Sequence, residues 1–384
     1  MTPKFPNPVD VVVAHDYLTQ RGGAERVALE IARTLDAREI VTSVYEPTQT
    51  FTGYEEFDIR QSPSRMLQRF RGDMRFALPF LAGAWSHMPP VDADVLVASS
   101  SGWAHGVQTT PRTLKVVYCH NPARWLYQAD DYLEGHPVPV RLGLQALAPS
   151  LRRWDHRAAA TADVYVANSR CVANRIRRVY GIEAEVVHPP VSLDVTGEQH
   201  PLPRVEPGAF LAVSRPRGYK GMQRLIAAFE RMPKRRLVVV GLTPTEELPS
   251  NVTAVGPVSE AELRWLYSNA RALVSVSKED FGLTPLEAGA FGTPALLLRA
   301  GGFLDSTQEG VSGLFVDDDS VATIVRAVED FPDDWDADAV RANAARFAPA
   351  VFAERLSEAV ARVREDGPLA ARRARREEVA VTAV

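Results

Sequence analysis

Short β-branched runs alternate with helical patterns along the whole chain. Residues 10–14, Asp-Val-Val-Val-Ala, read as a buried strand, and 25–35 place Val27, Ile31 and Leu35 on one helical face. Further strands are predicted at 39–44, 95–99, 114–119, 164–167 and 184–187. A proline-rich stretch follows, with Pro189, Pro190, Pro201, Pro203 and Pro207. The alternation then restarts, with strands predicted at 210–214, 236–240, 272–276 and 295–298 and helices at 222–231, 260–269, 284–291 and 320–330. Two βαβ series joined by a linker imply an α/β protein of two Rossmann-like, doubly wound parallel-sheet domains. The expected division is 1–190, a linker at 191–207, 208–349, and a terminal helix and charged tail at 350–384 that can return to the first domain. Helical pattern covers 338–364, and the charge run 372–378 reads as a solvated tail. Ligands bind such sheets at the carboxyl ends of the strands, so a cleft between the domains is expected.

Composition narrows the classes. The 384 residues are 46% hydrophobic and 24% charged, with a formal charge of −4. That balance fits a globular protein and gives no general case for nucleic acid, so an anionic substrate needs a local basic patch. Cys119 and Cys171 lie far apart, which suits a reducing compartment and argues against disulfide or cysteine–zinc sites. Residues 1–8 do not read as a signal peptide, and no run approaches the ~20 apolar residues of a spanning helix. A cytoplasmic protein is expected, with the inner face of the cell membrane as one place of action.

The chemistry concentrates in residues 277–287, Ser-Lys-Glu-Asp-Phe-Gly-Leu-Thr-Pro-Leu-Glu. Glu279 and Glu287 have seven residues between them. Thr284-Pro285 can open a helix, threonine as cap and proline in the first turn. The free N–H groups of that turn would face the loop of Phe281 and Gly282 and attract a diphosphate. A ligand anionic in the middle and hydroxyl-rich at both ends, such as a nucleotide sugar, suits this layout. Thr284-x-x-Glu287 also fits a capping box, a purely structural role.

Other stretches agree with a phosphate ligand. Residues 214–221, Ser-Arg-Pro-Arg-Gly-Tyr-Lys-Gly, follow the first strand of the second half. Arg215 and Lys220 can both reach a diphosphate there, whose departure without a metal needs such neutralisation. Gly22-Gly23 follow the first strand and precede a helix, where glycines admit close backbone approach or simply make a tight turn. The fingerprint G-x-G-x-x-G is absent, which argues against a nicotinamide cofactor. His120 ends the strand 114–119 and can serve as hydrogen-bond donor, acid or base, or as a structural turn residue. His15 and Asp16 hold the matching place after the first strand. Asp92-Ala93-Asp94 and Asp317-Asp318-Asp319 resemble carboxylate pairs for divalent ions, but stand before a strand and at a helix cap, so no metal site is expected. No Ser-His-Asp set can be picked out by spacing. Residues 60–85 combine Arg60, Arg65, Arg69, Arg71 and Arg75 with Leu67, Phe70, Phe76, Leu78, Phe80, Leu81 and Trp85. That suits membrane-surface contact or a helical hairpin packed on the first domain.

On these motifs the chain resembles the family-four retaining glycosyltransferases, whose two-Rossmann architecture is called GT-B. Glu279 to Glu287 with the following Ala-Gly-Ala-Phe-Gly-Thr-Pro is similar to that family's E-x7-E signature. Val213-Ser214-Arg215 with Lys220-Gly221 is similar to its diphosphate-binding pair, and residues 21–25 to its first glycine loop. Residues 99–101 and 118–124 resemble the branch of bacterial mannosyltransferases that builds surface polysaccharides. The resemblance implies a retaining, metal-independent transfer of a hexose, with mannose and GDP-mannose as candidates, from a nucleotide-diphosphate sugar to a glycan or lipid-linked acceptor. No cofactor beyond that donor is implied. Arg215 and Lys220 would hold the diphosphate, Glu287 the ribose, and Glu279 would face the sugar. Backbone N–H groups of Phe281, Gly282, Leu283 and Thr284 would contact phosphate or sugar. Gly22 and Gly23 would leave room for the donor, His120 would bond the transferred sugar, and the leaving phosphate would help deprotonate the acceptor. The family often places a glutamate after Gly301-Gly302, whereas here Phe303-Leu304-Asp305 follows, so Asp305 receives no role. A nucleotide-sugar epimerase of the same architecture and a non-catalytic nucleotide-sugar-binding protein are the alternatives.

Overall fold

The computed structural model describes residues 9–64, 66–67, 77–129, 138–213, 220–243 and 248–366. Contacts divide the chain into two units, one running up to His188 and resuming at Ala350, the other Pro189–Pro349.

The first unit is built on β1 (Val11–His15), β2 (Glu39–Thr42), β3 (Asp58–Gln61), β4 (Val95–Ser100), β5 (Leu114–Cys119), β6 (Val164–Ala167) and β7 (Ala184–Val186). All pair in parallel, in the order β3-β2-β1-β4-β5-β6-β7. The order reverses at β1 and β4, which makes the crevice beside their carboxyl ends the topological switch point. The central strands are buried along their length and mostly apolar because both faces are covered. Val12 and Ala14 enter one hydrophobic cluster, Val11 and Val13 the other. The helices are α1 (Gly23–Thr34), α2 (Leu78–Ser86), α3 (Arg124–Tyr127), α4 (Val138–Ala159) and α5 (Arg170–Tyr180).

The second unit repeats the plan with β8 (Phe210–Val213), β9 (Leu237–Val240), β10 (Val252–Gly256), β11 (Ala272–Ser275), β12 (Ala295–Leu298) and β13 (Gly313–Val316). Their order is β10-β9-β8-β11-β12-β13, again parallel, with the reversal at β8 and β11. Its helices are α6 (Lys220–Glu230), α7 (Glu260–Asn269), α8 (Thr284–Ala290), α9 (Phe303–Ser306), α10 (Val321–Glu329) and α11 (Ala337–Ala345).

Three strands escape the hydrophobic pattern: β3, β10 and β13. Each is a sheet edge with part-exposed residues; β3 (Asp-Ile-Arg-Gln) is mostly polar and β10 carries Thr253 near its middle, whereas β13 (Gly-Leu-Phe-Val) is apolar but short and opens on a glycine. The single helical pattern over 338–364 is two helices, α11 and α12 (Pro349–Asp366). Pro349 disfavours helical geometry at Ala348 yet is at home in a first turn, so it closes one helix and opens the next. Residues from Ala350 onward belong to the first unit, where Phe352, Leu356, Val360 and Val363 join the cluster of Val27 and Ile31 from α1.

Candidate functional site

In the second unit the acidic loop leaves the carboxyl end of β11 and enters α8. Its course is set by glycines. Gly282 has φ +83°, and a Cβ there would fall 2.4 Å from the Phe303 ring. Gly301 and Gly302 run against the loop backbone. A Cβ on Gly301 would meet the Glu279 carbonyl oxygen at 2.2 Å, and one on Gly302 the Phe281 Cα at 2.2 Å. The Gly302 N–H donates to that Glu279 carbonyl at 2.9 Å. Phe303, in the place where the related pattern often carries an acid, is buried and supports Gly282 from beneath.

Both carboxylates are half-buried and held. The Ser277 hydroxyl donates to Glu279 Oε1 at 3.0 Å, and Ser275 lies 2.9 Å from Ser277. The buried Tyr267 of α7 donates its hydroxyl to Glu287 Oε2 at 2.8 Å. The capping-box expectation at Thr284 fails. The N-cap is Leu283, in helical conformation and with no side-chain cap, and Pro285 sits in the first turn. The helix thus starts one residue early, leaving Thr284 inside it and Glu287 bonded to Tyr267. Pro285 has no N–H and the Leu286 N–H donates to the Leu283 carbonyl at 3.0 Å, which leaves the Thr284 N–H as the first-turn donor without an intrahelical acceptor. Phe281 is not at the surface: it packs with Val191, Leu286 and Phe347, so only its backbone is available to a ligand.

Arg215 lies outside the described residues, as does the side chain of Lys220. The flanks of their segment are described. β8 and β11 pair in parallel, Phe210 with Ala272 and Leu211 with Leu273, so both loops leave one edge at the switch point. Gly221, second residue of α6, lies so close that a Cβ would come 3.1 Å from the Val276 carbonyl oxygen, just past β11. The start of the Lys220 helix and the start of the acidic loop are therefore neighbours.

In the first unit the register of β1, β4 and β5 lines up three polar residues. His15 pairs with Ser99, and Ser99 with Tyr118, which puts His120 just beyond. His15 Nδ1 lies 3.0 Å from Ser99 Oγ and 3.1 Å from the Ser99 carbonyl oxygen; Ser99 Oγ lies 2.7 Å from His120 Nε2. Burial lowers both imidazole pKa values to about 4, with Asp16 partly opposing this at His15. Asp16 itself is occupied by structure: it accepts the backbone N–H groups of Ser101, Trp103 and Ala104 at 2.6, 3.0 and 2.6 Å and so folds the loop after β4. Gly22 is the N-cap of α1 with φ −114°, which any residue adopts. Its service there, with Gly23 after it, is a helix start without side chains.

A serine, a histidine and an aspartate do come together, unseen by spacing. Ser100 Oγ is 3.1 Å from His105 Nδ1, and His105 Nε2 is 3.0 Å from Asp155 Oδ1. All three are buried, Trp103, Trp125 and Trp154 pack around them, and Asp155 also accepts from Tyr127. Burial on this scale favours a structural role for the set, although His105 Nε2 and Asp155 Oδ1, close as they are, are not aligned as a hydrogen bond.

The acidic triplets are engaged structurally. Asp317 pairs with Arg299, Asp318 accepts from Ser320 and Thr323, and Asp319 pairs with Arg224. Asp92 pairs with Arg112, and Asp94 accepts the Asp10 N–H. From 60–85, Arg60 pairs with Glu39; Leu67, Leu81 and Trp85 are buried, while Phe80 is exposed. Arg65, Arg69, Phe70, Arg71, Arg75 and Phe76 lie outside the described residues. Among the described residues no helix is long and apolar enough to cross a membrane.

Two doubly wound parallel sheets in one chain, with polar loops gathered at both switch points, define the GT-B architecture. Residues 21–195 match the model described as Glycosyltransferase Family 4 and residues 198–351 that of Glycosyl transferases group 1; the chain belongs to the family-four glycosyltransferases. Human alpha-1,3/1,6-mannosyltransferase ALG2 is 25% identical over 397 residues, covering 87% of this chain and 92% of its own length. The D-inositol 3-phosphate glycosyltransferase of Xylanimonas cellulosilytica is 30% identical over 196 residues, 42% of this chain and 47% of that one, so the chain matches only about half of that relative. Among solved structures, Anabaena Alr3699/HepE in complex with UDP and glucose superposes with a TM-score of 0.62 at 16% identity, covering 92% of this chain and 100% of that one.

Proposed function

We propose that this glycosyltransferase moves a hexose, mannose first among candidates, from a nucleoside-diphosphate sugar to a glycan or lipid-linked acceptor, with retention of anomeric configuration and without a metal. The observation that carries the reading is the shared edge in the second unit. The Arg215–Lys220 segment and the loop from Glu279 to Glu287 leave adjacent strands at the switch point, with a glycine-shaped backbone and an uncapped first turn between the acids. A pyrophosphate there would meet N–H donors, a guanidinium and an ammonium. Tyr267 orients Glu287 for ribose hydroxyls, and Ser277 orients Glu279 toward the sugar. Such neutralisation stabilises the leaving diphosphate as its bond to the anomeric carbon lengthens. In that reading His120 bonds the transferred sugar and Gly22-Gly23 leave room for it. The mannosyltransferase relative supports mannose, and the complex of the structural neighbour with UDP and glucose supports a nucleotide-sugar donor. A lipid-linked acceptor would place the work at the inner face of the membrane, with 60–85 contacting its surface.

The test incubates the full chain with GDP-mannose or UDP-glucose, with and without a lipid-linked glycan and a chelator. Acceptor-dependent transfer that survives chelation and keeps the anomeric configuration is expected. Lys220→Ala should weaken nucleoside-diphosphate binding by at least tenfold, the loss of a charge-assisted contact. Donor conversion without acceptor would make the protein an epimerase, and undiminished binding by Lys220→Ala would overturn the site.

A further inference from the structure

We propose that Ser99 is a positioning residue that sets the tautomer of His120, passing its hydroxyl hydrogen to Nε2 so that the His120 proton stays on Nδ1 as a hydrogen-bond donor. The direction follows from what each atom can do. A carbonyl oxygen only accepts, and His15 Nδ1 stands 3.1 Å from that of Ser99, so Nδ1 of His15 carries hydrogen. The same N–H faces Ser99 Oγ at 3.0 Å, which therefore accepts. Ser99 is fully buried, and among the described residues its hydroxyl has one further hydrogen-bond partner, His120 Nε2 at 2.7 Å. If Nε2 donated instead, the hydroxyl would accept twice and its own hydrogen would be buried without an acceptor, an arrangement folded proteins avoid. The chain of donation thus runs His15 to Ser99 to His120.

Both rings are neutral, since burial lowers their pKa values to about 4. Each has then spent one nitrogen on Ser99. Among the described residues no hydrogen bond reaches the other nitrogens, Nε2 of His15 and Nδ1 of His120. The first is a lone-pair acceptor and the second an N–H donor, on rings whose centroids lie 6.3 Å apart at nearly right angles. This pair suits neutral hydroxyls, one donating to His15 and one accepting from His120, rather than an anion or a proton to be removed. His120 is thereby a donor and not a base. The ligand part of this inference rests on the sugar-transfer reading; the tautomers do not.

The experiment is a long-range proton–nitrogen correlation spectrum of the full chain labelled with ¹⁵N on histidine, His120 and His15 being assigned with His120→Gln and His15→Gln. Expected at pH 7 are neutral rings protonated on Nδ1 at both positions. In Ser99→Ala, His120 should move to the Nε2–H form while His15, still facing the carbonyl, stays as it was; Ser99→Thr should restore the original pattern. Turnover should follow, with kcat reduced in Ser99→Ala, recovered in Ser99→Thr, and KM for the donor little changed. An Nε2–H His120 in the unmodified protein, or a Ser99→Ala spectrum identical to it, overturns the proposal. The unmodified protein decides the tautomer even if a variant does not fold. The spectrum needs no substrate, so correct tautomers in a protein that transfers no sugar would overturn the transferase reading and leave the role of Ser99 standing.

Discussion

Single residues at the candidate site are held by partners that the local sequence does not advertise. Glu287 was visible as half of an acid pair, but the hydroxyl that orients it comes from Tyr267, twenty positions earlier on another helix. Only a fold that lays α7 beside α8 brings the two together. Tyr267→Phe keeps the ring and removes the donor, about 1 kcal/mol of net hydrogen bonding, so nucleoside-diphosphate affinity should fall roughly fivefold by calorimetry with no change in fold. Ser277, by contrast, sits inside the motif and was in plain view. His15 and His120, both buried, carry a pH signature. Their pKa values are about 4 folded against 6.5 for an ordinary histidine, so between those values the unfolded chain binds more protons. Stability is therefore intact above pH 6.5 and drains away as pH falls toward 4, by about 3 kcal/mol for each ring. Urea titrations at pH 7 and pH 4.5 should show the loss, and His120→Gln should make it shallower. An unchanged slope in that variant would assign the acid sensitivity elsewhere.

At the scale of elements, the loop between β11 and α8 is shaped as much by a turn twenty residues downstream as by its own sequence. Gly301 and Gly302 leave no space for a Cβ because the backbone of Glu279, Asp280 and Phe281 lies against them. Gly302→Ala should push that backbone outward, cost about 1–3 kcal/mol as overpacking does, and weaken nucleoside-diphosphate binding more than stability alone explains. A variant with lowered melting temperature and intact affinity would separate the turn from the site. The strands that carry the candidate loops stand out in the sequence because their runs are mostly apolar on both faces. The edge strands β3 and β10 hide because polar residues interrupt them, and β13 because four residues opening on a glycine are too short to stand out. Thr284 reads as a cap in the sequence because cap preferences are local statistics. Here Leu283 takes the cap position, Pro285 stands in the first turn, and the neighbouring residues Phe281 and Leu286 are fixed by their own core.

Across the whole molecule the chain does not divide at one point. The last described helix, α12, is far from the first unit in sequence and yet completes its core: Leu356 is fully buried among residues of α1 and the sheet. Leu356→Ala should destabilise the first unit by about 2–5 kcal/mol while nucleoside-diphosphate binding, assigned to the second unit, persists; a thermal melt with a parallel binding isotherm reads both. Loss of binding in step with stability would place the donor site elsewhere. Two parallel sheets, the strands that end in the candidate loops, and the acids, glycines and basic residues there could all be read from the chain alone, since each rests on short-range periodicity or on spacing within a loop. Only the tertiary structure decided which strands stand side by side, and with that the meeting of His15, Ser99 and His120, the buried set of Ser100, His105 and Asp155, and the return of α12. The reason is physical: strand order and register are chosen by burying two sheet faces at once, a condition on the whole chain that no window of neighbouring residues contains.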